Sequence, residues 1–135
     1  MKNLLLILFC AASLSAASPE VTQYIVSLQS EAAQADPAFK GFDAKRGELL
    51  FTSEHLGKKG KTIACTSCHT ANLTVKGENF FTGKVIEPLA PSANPLRLTD
   101  AKEVKKWLRR NFNDVYNREG TAQEKGDVLR YIMTK

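Results

Sequence analysis

Cysteine, methionine, histidine and tryptophan are all scarce in this chain of 135 residues, which holds three, two, two and one of them respectively. Cys10 and Met1 lie in an apolar N-terminal stretch, so the rest of the chain offers only Cys65, Cys68 and Met133. Two cysteines alone leave no second Cys/His pair, and a structural zinc site wants about four ligands in two pairs. No βαβ pattern surrounds them, which removes the setting of a thioredoxin-like exchange. Long hydrophobic runs are missing as well. The longest, Leu4 to Leu14, is roughly 11 residues against the ~20 needed to span a bilayer. Strand signals are almost absent, and neither repeats nor low-complexity tracts occur. Charge is too mild to argue for nucleic acid: 19 basic residues less Lys2 leave 18 against 14 acidic, a formal +4.

The N-terminal stretch reads as a signal peptide. Met1-Lys2-Asn3 is a positive n-region, Leu4 to Leu14 an apolar h-region, and Ser15-Ala16-Ala17 a small-residue cleavage site. Residues 1–17 are therefore expected to be removed, Cys10 with them, leaving 18–135 as one small exported domain with no stable membrane insertion. In a bacterium that places it in the periplasm.

What remains is Cys65-Thr66-Ser67-Cys68-His69. Cys-x-x-Cys-His is the attachment signature of a c-type haem. Each thiol can form a thioether to one vinyl group, and the histidine after the second thiol can place its imidazole on the iron. The competing reading is a Cys65–Cys68 disulfide in an oxidising compartment, within a haem-free disulfide or metal-binding interaction domain; such a protein would be colourless. With so small a core, a buried haem would add much of the apolar surface, and the apoprotein is expected to fold poorly.

The pattern around the motif is helical. Val21, Tyr24, Ile25 and Leu28 share one face after Pro19, predicting a helix over 19–35 that ends before Pro37. A second is predicted over about 43–54, interrupted by Gly47, a residue that usually permits close backbone approach. Residues 71–98 read as a loop, long for a compact domain but able to pack on a haem edge. Asp100 with Glu103 opens a third helix to about Asn111, in which Val104, Trp107, Leu108 and Asn111 share a face. Thr121 with Glu124 forms a capping box for a last helix through Val128, Leu129, Tyr131 and Ile132. Gly47 and Phe51 would let the second helix cross the last one closely. Lys102, Lys105, Lys106, Arg109 and Arg110 are a solvated helix face or a surface that steers an acidic redox partner.

The sixth iron ligand has several candidates. Met133 stands three residues from the end of the last helix, where reaching the iron would unwind it. His55 lies ten residues before Cys65 and also reads as a surface histidine. Asn111 shares a face with Trp107 and equally suits a helix C-terminus, with Asn113 and Asn117 as rivals in the following turn. Trp107 could shape a distal pocket, although a core position suits it better. Arg97 and Lys84 are candidates to pair with haem propionates.

Gly47, Phe51, Cys65, Cys68, His69, Val128 and Tyr131 together resemble the pattern of class I c-type cytochromes, all-α proteins wrapped around one covalent haem; here an extra N-terminal helix is added. The run Thr82 to Pro95, then Arg97, Thr99-Asp100, Val104 and Lys106-Trp107-Leu108-Arg109-Arg110-Asn111, resembles more narrowly the sphaeroides haem protein family. Its members are exported, high-spin monohaem cytochromes with an asparagine at the sixth position. The resemblance implies that Cys65 and Cys68 hold the haem, that His69 and Asn111 are its axial ligands, and that Trp107 lies in the distal pocket. It implies a dihaem or multihaem cytochrome as electron donor, with a membrane cytochrome b behind it. Some members carry a cysteine pair flanking the loop after the ligand; Phe112 and Gly120 stand there instead, so this loop is expected to lack a staple and to move more.

An amide oxygen is a hard, weak-field donor that suits Fe(III) and releases Fe(II). The reading that follows is a periplasmic redox and ligand-binding haem protein, not a dedicated enzyme, which accepts electrons and when ferrous binds O₂, NO or CO. The alternative is a six-coordinate electron carrier using His55 or Met133.

Overall fold

The computed structural model describes residues 17–135, so the leader reading, Ala17 apart, falls outside the described residues. Helix α1 spans Pro19–Ala35, as its sequence predicts at both ends. The Ser18 hydroxyl accepts from the Val21 N–H at 3.3 Å and Pro19 occupies the first helical position. Val21, Leu28 and Ala32 are buried, and the Ser18 N–H donates to the Leu98 carbonyl, tying the helix start to a distant loop.

Helix α2 is Ala44–Thr52, a little shorter than predicted, with the Asp43 carboxylate accepting from the Arg46 N–H. Two short strands follow, β1 (His55–Leu56) antiparallel to β2 (Thr62–Ile63), around a 3₁₀ turn at Lys58–Gly60. Helix α3 is a single turn, Thr66–His69. A second two-stranded ladder, β3 (Gly77–Glu78) with β4 (Val85–Ile86), lies inside the predicted loop. The rest of that loop is stitched by hydrogen bonds. Leu89 and Ala90 donate to the Leu73 carbonyl, and Arg97 donates through Nε to the Pro88 carbonyl and through Nη2 to that of Glu87. These bonds satisfy backbone groups that a structureless segment would leave unpaired.

Helix α4 runs Ala101–Tyr116, five residues beyond the predicted end at Asn111. Its cap is Asn117, in the left-handed conformation at φ 53°, with Nδ2 donating to the Leu56 carbonyl. Asn111 and Asn113 are thus helical residues, and Asn113 bonds back to the Arg109 carbonyl. At the other end Asp100 caps as predicted, but the Glu103 side chain turns to Lys106 and Trp107. Helix α5, Ala122–Met133, opens with the predicted capping box.

Helices α2 and α5 cross at Gly47, where an added Cβ would lie inside contact distance of the Asp127 carbonyl and 2.9 Å from Tyr131 Cβ. Beside the crossing, buried Asp127 accepts from Arg46 Nε at 2.8 Å, Arg46 Nη2 at 2.9 Å and the Asp43 N–H at 2.7 Å. The fork geometry is that of a bidentate Arg–carboxylate pair. Arg46→Met would leave the buried carboxylate with one donor, and we expect it to cost about 3 kcal/mol. Urea unfolding of the ferric holoprotein checks this; a change under about 1 kcal/mol would show the pair to be dispensable.

After α4 the Phe112 ring lies over Gly120, 2.7 to 2.8 Å from where a Cβ would sit. Arg118 pairs with both oxygens of Glu124, and Lys125 with Glu119. The loop expected to lack a staple is therefore held by a ring and ion pairs. No helix among the described residues is long and apolar enough to cross a membrane.

Candidate haem site

A cavity of about 660 Å³ opens between α3, the β3–β4 hairpin, the loop before α4, and helices α4 and α5. That volume suits a cofactor, a class of site that usually runs roughly 300–1,000 Å³. Cys65, Cys68 and His69 line it from α3 and the residue before it, and Trp107 and Asn111 line it from α4. Arg97 and Lys84, the two propionate candidates, line it as well. Each predicted site residue thus borders one cavity. His55 and Met133 do not. His55 lies in β1 with its ring 4.0 Å from that of Tyr116 and a buried Nε2 that finds no hydrogen-bond partner in the protein. Met133 borders a separate groove between α1 and α5.

The local sequence explains how the thiols come to the cavity. One turn of helix places Cys65, Cys68 and His69 at i, i+3 and i+4, hence on one side, and the His69 N–H closes that turn on the Cys65 carbonyl at 3.0 Å. The turn is then pressed from outside. Gly77 in β3 lies against the Cys68 carbonyl with no room for a Cβ, and the Phe80 N–H points at Cys68 Sγ at 3.3 Å. Phe51 packs 5.9 Å from the His69 ring and 5.5 Å from Tyr131, so the α2–α5 crossing also supports the imidazole.

The chemistry of these donors fits a covalent haem better than a metal ion. Both thiols are free. Burial, with a smaller contribution from Cys68, pushes the Cys65 thiol up to about 12. It is therefore a neutral thiol at pH 7. Among the described residues no group of three or more Cys, His, Asp or Glu converges as a metal site would need. Burial first, and the nearby Arg97 charge second, lower His69 to about 4. Its imidazole is thus neutral at pH 7, the form that can donate to iron. The walls are mostly apolar, yet Val85, Leu96 and Trp107, which line them, are 65, 81 and 45 % exposed. Apolar side chains left open together around a cavity mark a binding site.

Trp107 therefore does not sit in a protein core. Its Nε1–H donates to Glu103 Oε2 at 3.0 Å, and Lys106 Nζ and the Arg110 guanidinium lie 5.2 and 5.5 Å from its ring. Sequence reasoning did not single out Glu103 beyond its capping position. The i, i+4 spacing from Glu103 to Trp107 was the available signal.

The sequence and the fold both match known proteins. A family model described as a domain of unknown function, DUF1924, matches residues 37–132. The chain is 49% identical over 102 residues to the cytochrome c-type protein SHP of Cereibacter sphaeroides, covering 76% of this chain and 75% of that protein. Its fold matches the crystal structure of oxidised SHP, described as an oxygen-binding cytochrome c, with a TM-score of 0.73 at 42% identity over 89% of this chain and 100% of that one. It also matches the solution structure of cytochrome c'' from Methylophilus methylotrophus, studied for haem-ligand detachment, with a TM-score of 0.74 at 30% identity over 85% of this chain and 93% of that one.

Proposed function

Because the chain belongs to the sphaeroides haem protein family of class I c-type cytochromes and carries one covalent haem c, we propose that it accepts electrons from another cytochrome and, once reduced, binds a diatomic ligand where Asn111 has withdrawn. One observation carries this reading. Asn111 borders the same cavity as Cys65, Cys68 and His69, whereas the methionine and the second histidine that a closed electron carrier would use do not.

When bound, haem c would supply a one-electron couple and an iron able to take ligands from the protein. In this reading Cys65 and Cys68 would hold the haem through their thiols, at the start of α3 and within it. His69 donates its neutral imidazole on the proximal side, and Phe51 keeps the ring in place. Asn111 offers an amide oxygen, a hard neutral donor that holds Fe(III) and lets go of Fe(II). Its withdrawal would leave the iron open to O₂, NO or CO. Because methionine ligation raises the potential, a site without it is a weaker oxidant than an ordinary cytochrome c. Arg97 uses Nε and Nη2 on backbone carbonyls, which leaves Nη1 for a propionate. The donor would be a dihaem or multihaem cytochrome met after export to the periplasm.

Optical spectra test the proposal. The ferric protein is expected to be high-spin, and the dithionite-reduced protein to bind CO at once. Asn111→Ala should change the ferric spectrum and leave the ferrous one nearly unchanged, since the amide is already detached there. Asn111→His should drive the ferric form toward low spin and slow CO binding. If Asn111→Ala leaves the ferric spectrum untouched while His55→Ala alters it, the amide ligand is wrong and a closed electron carrier takes its place.

A further inference from the structure

Glu103, Trp107 and Asn111 follow one another at intervals of four along α4, and all three border the haem cavity. A half-exposed tryptophan on a surface helix ordinarily exchanges rotamers quickly. This one is held from three directions. Its Nε1–H donates to Glu103 Oε2 at 3.0 Å, while the other carboxylate oxygen, Oε1, takes the Lys106 ammonium at 2.6 Å. Both oxygens of Glu103 are thus committed, and the carboxylate cannot turn away from the indole without giving up its ion pair. Lys106 and Arg110 then lie within cation–π distance of the ring, at 5.2 and 5.5 Å. Three residues of the same helix, Glu103, Lys106 and Arg110, fix the indole at the rim of the cavity, one turn before Asn111.

We infer that Glu103 is a positioning residue that latches Trp107 as a side wall of the distal approach, and that this latch sets how fast a diatomic ligand enters once Asn111 has withdrawn. The inference rests on the proposed function. It adds a part that neither the iron ligands nor the haem anchors supply, a control of entry rate separate from ligand affinity. Glu103 touches neither haem nor ligand in this scheme; it acts through the indole. Lys106 acts one step further out, by holding the carboxylate.

The chain holds a single tryptophan, so its fluorescence reports on this ring alone. In the wild-type holoprotein a latched indole at one distance from the haem should decay with one dominant, strongly quenched lifetime. Glu103→Ala should spread that decay over several lifetimes and raise the CO association rate of the ferrous protein about fivefold, the population change that losing one hydrogen bond of ordinary net strength allows. The ferric and ferrous spectra should stay as in the wild type, because neither axial ligand is touched. Trp107→Phe keeps a ring but lacks the N–H, so it should speed CO binding to a similar degree. The Glu103→Ala/Trp107→Phe double variant should then be no faster than Trp107→Phe alone. The latch is overturned if Glu103→Ala keeps the single lifetime, if CO association is unchanged or slower, or if the two substitutions add independently. A wild-type ferrous protein that binds no CO would overturn the proposed function itself, and the latch with it.

Discussion

Cys65→Ala combined with Cys68→Ala is expected to yield a polypeptide that gives up all its haem on denaturation. The only other cysteine in the chain is Cys10, in the apolar N-terminal stretch. Produced with a c-type maturation system, the double variant should lose haem staining on a denaturing gel, and acid acetone should extract any residual pigment. His69 and the apolar cavity could retain haem only non-covalently. Each single variant keeps one thiol and so one possible thioether; Cys10→Ala should behave as wild type. Haem that stays with the double variant through extraction would show that attachment does not use this motif.

Gly47→Ala should be severely destabilising although alanine is the better helix former. Inside α2 the replacement gains about 1 kcal/mol of propensity. Against that stands the Asp127 carbonyl, which belongs to the α5 backbone and so cannot rotate aside as a side chain would, with Tyr131 Cβ behind it. Overpacking a close contact costs roughly 1–3 kcal/mol, and more where the obstacle is rigid, so the net loss should be about 3 kcal/mol. For a domain of this size that lowers the melting temperature by about 10 °C. The same displacement would shift Val128, Leu129 and Ile132, which line the haem cavity from α5, so the Soret band should broaden as well. Lys45→Ala, two residues from the same site but exposed and paired only with half-buried Glu48, should change stability by less than about 0.5 kcal/mol. A Gly47→Ala protein as stable as wild type would show that the helices can part at this point without cost.

Local signals and tertiary ones were legible to different degrees. Ser18 with Pro19 marked the start of α1, and Thr121 with Glu124 the start of α5, because caps are satisfied by neighbours in the chain. The close α2–α5 crossing was legible from Gly47 and the aromatics around it. The end of α4 was not. Asn111 suits a terminus, but the helix continues through buried Phe112 and Val115 and half-buried Tyr116, with the Phe112 ring against Gly120. Trp107 shows a further limit. Val104, Trp107, Leu108 and Asn111 form one apolar-weighted face, and periodicity reports only that this face meets something apolar. Whether that is protein or porphyrin is not written in the spacing. His55, by sequence either a surface histidine or an iron ligand, stacks on Tyr116, a contact between β1 and α4 that no local rule anticipates. The strained turn at Lys59, with φ 58°, was equally invisible, since lysine gives no hint of a left-handed backbone.

The loop after α4 is shut by the Phe112 ring on Gly120 and by the Arg118 and Lys125 ion pairs, not by a sulfur–sulfur bond. Its closure is therefore indifferent to reductants. With the attachment proposed above, Cys65 and Cys68 would have to stay free thiols until each meets a vinyl group, and a medium reducing enough to keep them so would open a neighbouring disulfide. Here there is none to open. Among the described residues the one wrong bond available joins Cys65 to Cys68, and the reagent that undoes it loosens nothing else in the fold.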